Sequence, residues 1–73
     1  MSIVPGDDET VYRLTWTPYA NSALFMEKQT GELAAVRLRA VELSEKHPGV
    51  WVDVMEEESA VMVAMVRDGI VHP

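Results

Sequence analysis

The stretch TGELAAVRLRAVELSEKHPG, residues 30–49, limits the possible folds of this chain more than any other. It is the clearest helical signal. Thr30 stands at the N-cap position, Glu32 adds negative charge to the first turn, Lys46 and His47 add positive charge to the last, and Pro48-Gly49 stops the helix. At about 100° per residue, Leu33, Val36, Ala40 and Leu43 form one apolar stripe, and Ala34, Leu38 and Val41 form another beside it. Arg37 and Ser44 lie between the stripes, and Arg39, Glu42 and Lys46 leave only a narrow polar back. A helix lying on a small sheet buries one stripe. The second, with Arg37, is then left for a second copy or another protein, unless Arg37 lays its aliphatic stem along the sheet and keeps its guanidinium in water.

The flanking segments supply that sheet. In TVYRLTWTPY, Tyr12, Leu14 and Trp16 alternate with Val11, Arg13, Thr15 and Thr17, which predicts a strand with Tyr12, Leu14 and Trp16 toward the core, ended by Pro18. Asn21 and Ser22 carry turn chemistry. For residues 23–28 a return strand and a short helix both fit; the strand is preferred because Thr30-Gly31 separates this piece from the helix. After the helix, VWVDVME places Val50, Val52 and Val54 on one strand face and Trp51, Asp53 and Met55 on the other.

Residues 60–67 also allow two readings. As a helix, Ser59 would cap it, but the three glutamates would precede the cap, and Val61, Val63 and Val66 disfavour that state. As a strand, AVMVAMVR pairs back on VWVDVME, Glu56, Glu57 and Glu58 become a solvated tip, and Asp68-Gly69 turns the chain into IVHP. The strand is preferred. The expected architecture is α+β: a single helix packed on a small, mainly antiparallel sheet, in the order β-β-α-β-β with a short terminal strand. Residues 1–9, with Asp7, Asp8 and Glu9, read as a flexible acidic arm, and residues 10–73 as one α+β domain.

Composition narrows the function classes. Apolar residues make up 48% of the 73 and charged residues 25%, as in a globular chain. Cysteine is absent, which removes disulfides and thiolate metal sites and fits a reducing, cytoplasmic setting. A domain this small sits near the limit of what one core can stabilise, which favours self-association. The net charge of −6 disfavours direct nucleic-acid binding, and no segment reaches the roughly 20 apolar residues of a membrane span.

Reactive groups do not converge. His47 and His72 each stand at the end of an element without metal-ligand spacing; His47 suits a helix dipole, and His72, next to the last residue, is expected to fray. Neither a nucleophile elbow nor a phosphate loop is present, and the acidic groups lack the spacing of a calcium loop, so no catalytic site, metal or cofactor is expected. Arg13 and Lys28 can meet across the first hairpin and share a face with Trp51, the kind of patch that stacks bases.

The order YRLTWTP, a short hairpin, TGELAAVRLRAVELSEKHPG and VWVDVMEEE resembles small orphan proteins of actinobacteria and their bacteriophages over residues 11–58. The resemblance implies a ββαβ pattern and an accessory protein that binds a host or viral protein; it assigns no functional residue. The sequence thus predicts a small acidic interaction module that forms a homodimer, with Arg37, Leu38, Val41, Trp51 and Met55 as partner-contact residues. The alternative is an inhibitor that imitates nucleic acid and occupies a DNA-binding protein through its carboxylates.

Overall fold

A computed structural model describes residues 10–19 and 22–72. Along the chain come β1 (Val11–Trp16), β2 (Phe25–Thr30), α1 (Leu33–Lys46), β3 (Val52–Glu56), β4 (Met62–Arg67) and β5 (Ile70–His72). The strands form one antiparallel sheet in the order β2-β1-β3-β4-β5, so the fold is α+β as the patterning predicts. Because β1 is antiparallel to both β2 and β3, those two run in the same direction with β1 between them. Joining two such strands needs a crossover, and α1 is that crossover.

The period-two residues choose the buried face. Tyr12, Leu14 and Trp16 from β1, Val52 and Val54 from β3, and Ala64 and Val66 from β4 meet Val36, Ala40 and Leu43 of α1 in one core. Ala40 and Ala64 are fully buried small residues, which lets the helix lie close to β3 and β4. Leu33, Val41, Val50 and Val63 pack on the margin of this core.

Residues 25–30 are a strand, which settles the first alternative, but the strand takes Thr30 with it. Thr30 pairs with Val11, and the Gly31 N–H donates to the Thr10 carbonyl at 3.2 Å, so Thr30 is not the N-cap. Gly31, at φ 137°, makes the break between strand and helix, a conformation that glycine alone adopts freely. Glu32 is the N-cap instead of a first-turn residue, and its side chain makes no capping bond. At the other end α1 stops at Lys46, and the Pro48-Gly49 turn that follows, with Gly49 at φ 81°, is closed by the Val50 N–H donating to the His47 carbonyl at 3.1 Å. His47 is the C-cap, and its ring stacks on Trp16 at 6.3 Å between centroids.

Residues 62–67 are also a strand, joined to β5 by Asp68 (φ 50°) and Gly69 (φ 79°), the left-handed pair of a tight hairpin turn. The β3–β4 register shifts between Val54 and Met55, so Val54 faces Ala64 while Met55 faces Met62. His72, expected to fray, pairs with Met65 and meets the Trp51 ring edge-on at 5.0 Å. Ser44, placed between two stripes in the sequence, is buried: it donates to the Val41 carbonyl at 2.8 Å and accepts the Gly69 N–H at 2.9 Å. That pair of bonds ties α1 to the β4–β5 turn. The proposed acidic arm, Asn21 and Pro73 lie outside the described residues.

Candidate interaction surface

With α1 on one face, the other face of the sheet has no covering layer among the described residues. Cross-strand partners share a face, so the pairing register gives its contents row by row. At one end lie Lys28, Arg13, Met55 and Met62; in the middle Met26, Thr15, Asp53, Met65 and His72; at the other end Trp51, which precedes β3, beside Arg67 and Ile70. Of the chain's five methionines, all four beyond Met1 therefore occupy the open face. Met26 and Met62 are 54% and 45% exposed, and Met55 and Met65 are half-buried between their neighbours.

Charge on this face is sorted by geometry. Arg13 donates from Nε to Glu57 Oε2 at 3.1 Å and from Nη2 to Glu57 Oε1, and Lys28 stands 3.9 Å from the same carboxylate. The hydrogen bond from Arg13 holds the Glu57 carboxyl below the usual carboxylate range. On the helix side, Arg39 grips Glu27 of β2 at 2.7 and 2.8 Å, and that bond likewise lowers the Glu27 carboxyl. Asp53 differs. No cation lies within 4.0 Å of it among the described residues, and burial between Thr15 and Met65 pushes its carboxyl up.

Two hollows open beside Trp51. One, of about 350 Å³, is bordered by Thr15, Trp16, Thr17, Val50, Trp51 and Asp53; on the other lie Arg67, Asp68, Ile70 and His72. Arg67 sits 5.4 Å from the centre of the Trp51 ring and 3.7 Å from Asp68. Trp16, bordering the first hollow, is buried with its Nε1 donor unpartnered among the described residues.

The five contact residues named from the sequence do not come together. Trp51, at 37% exposure, and half-buried Met55 lie on the open face, whereas Arg37, Leu38 and Val41 belong to α1 on the opposite side. Leu38 is 67% exposed and Arg37 is exposed, but Val41 is half-buried against the core, so the second stripe is only partly free. Arg39 is also not part of the polar back, because its pair with Glu27 draws it down toward the sheet. Sequence reasoning placed Asp53 on one face with Trp51 and Met55 but missed Met26, Met62 and Met65 as members of the same surface. Alternation carries the parity of Met26 and Met65, but Met62 has the parity of the buried Ala64 and Val66 and reaches this face only through the shifted β3–β4 register, and only the register between strands shows that these residues adjoin.

Two further expectations change. The glutamate tip is not uniformly solvated: Glu56 ends β3, Glu57 is taken by Arg13, and only Glu58 is exposed. Arg13 and Lys28 are cross-strand partners, as the hairpin reading has it, but Glu57 balances them, and the cation over Trp51 is Arg67. Among the described residues, no group of three or more His, Cys, Asp or Glu could hold a metal ion, and no helix is long and apolar enough to cross a membrane. In comparisons with known proteins the chain matches no family model, no curated protein and no solved structure.

Proposed function

We propose that this chain is a small acidic protein-interaction module, not an enzyme, and that it docks a protein partner on the open face of its sheet. The observation that carries this reading is the gathering of Met26, Met55, Met62, Met65 and Trp51 on the face that no helix covers. Methionine is flexible and polarisable, so such a surface adapts to a partner's shape, while an indole gives it a rigid anchor. The resemblance to actinobacterial and phage proteins supports a host or viral protein as that partner.

A photo-crosslinking residue in place of Met65 tests this in cells. It should trap a discrete protein adduct, and the same residue in place of Glu42, on the solvent side of α1, should not. Equal adducts from both positions, or none from Met65, would reject the open face as the docking surface.

Self-association through the helix is a second reading, favoured by the 67% exposure of Leu38. Light scattering should then show a dimer that Leu38→Asp converts to monomers; an unchanged mass rejects it. Imitation of nucleic acid draws less support from the described residues, because Arg13 neutralises Glu57, one of the tip carboxylates it would use.

A further inference from the structure

Of the carboxylates of Glu27 in β2, Asp53 in β3 and Glu57 just after β3, two have an arginine while that of Asp53 does not. Arg39 meets Glu27 and Arg13 meets Glu57, each through two hydrogen bonds. Asp53 stands in the middle row of the open face with Thr15 and Met65 as cross-strand neighbours and no cation within 4.0 Å among the described residues. A half-buried carboxylate in such surroundings is costly unless a cation reaches it. The cations on the open face are engaged elsewhere: Arg13 and Lys28 with Glu57, and Arg67 beside Trp51 and Asp68.

We propose that the hollow bordered by Thr15, Thr17, Trp51 and Asp53 seats an arginine side chain from an extended apolar segment of the protein partner; this rests on the docking reading above. The residues around the hollow match the chemistry of a guanidinium. A carboxylate accepts its planar fork through two N–H donors, hydroxyl oxygens of Thr15 and Thr17 accept others, and the plane stacks on an indole. Trp51 borders both hollows, and Arg67 and His72 lie along the second one, so the side toward Asp53 is left for the incoming group. The methionines in the same and the next row receive the apolar side chains that flank the arginine. The net charge of −6 draws a basic segment toward the molecule and opposes a second copy.

Two synthetic peptides test the seat on the full chain: acetyl-Leu-Arg-Leu-amide, and the same peptide with citrulline, the neutral isostere of arginine. In an amide-resolved NMR titration the arginine peptide should give saturable shifts at Thr15, Asp53 and the Trp51 indole. The citrulline peptide should bind at least tenfold more weakly. Asp53→Asn, which keeps shape and removes charge, should abolish the difference between the peptides, and Trp51→Leu should weaken the arginine peptide while leaving the fold's spectrum intact. Equal affinity for the two peptides, no saturable shift at these positions, or an arginine preference that survives Asp53→Asn would overturn the proposal. If that happens while the Met65 crosslink persists, the docking surface stands and only the arginine seat falls.

Discussion

The two faces of one sheet show how differently the same strands can be used. Toward α1, Leu14, Val52, Val54 and Val66 are fully buried, branched side chains in a close-packed layer. Away from α1, the same strands present Arg13, Asp53, Met55 and Met65, a mixture of long flexible side chains and charge. The first face is fixed by volume, so each change of shape is felt. The second face is fixed only by cross-strand neighbours, so it tolerates change and can fit itself to another surface.

The largest contrast comes from truncating one residue on each face. Leu14→Ala should cost about 3 kcal/mol, from lost burial and the cavity left behind, whereas Met65→Ala should cost about 1 kcal/mol or less. Urea unfolding of both variants checks this; similar losses would mean that the open face is packed as tightly as the covered one.

A smaller effect tests how α1 is held over its face. Ser44→Ala removes the acceptor of the Gly69 N–H and should cost about 1–2 kcal/mol in urea unfolding, with faster hydrogen exchange at Gly69. No change in either measurement would show that the helix is placed by its apolar stripe alone.

The smallest effect concerns charge and carries a sign that separates the faces. Glu27 and Glu57 have lowered folded pKa values, so each contributes stability above the ordinary carboxylate range and loses it as pH falls through its lowered value. Asp53 has a raised folded value, so its contribution is favourable at low pH and is lost as pH rises through that value. Asp53→Asn should therefore raise the thermal midpoint at neutral pH and leave it unchanged below the carboxylate range. A variant less stable than the parent at neutral pH would mean that the Asp53 carboxylate has a cation partner in the folded protein.

Much of the covered face was legible in the sequence because it depends on short periods. Tyr12, Leu14 and Trp16 at period two, and Leu33, Val36, Ala40 and Leu43 at helical spacing, turn toward the core as their alternation predicts, Leu33 at its margin. The open face was less legible. Trp51 and Met55 could be assigned to a face opposite Val52 and Val54, but Met26 lies two strands away and Met62 is placed opposite Met55 only by the shifted register. The pairing of Glu57 with Arg13 spans 44 residues, and no local pattern announces it.

While residues 23–28 and 60–67 stayed open between strand and helix, the sequence by itself determined β1, α1 and β3, their order, the faces that β1 and β3 bury and the turns at Gly49 and Asp68-Gly69. These follow from side-chain periodicity and from backbone conformations that few residues adopt. Tertiary structure alone decided which cations meet which carboxylates, that Thr30 stays in its strand, that Ser44 is buried, and that Leu38 and Trp51 point to opposite sides of the molecule. Those outcomes depend on how strands register across the sheet and on where the crossover helix settles, and such long-range geometry leaves no signature in neighbouring residues.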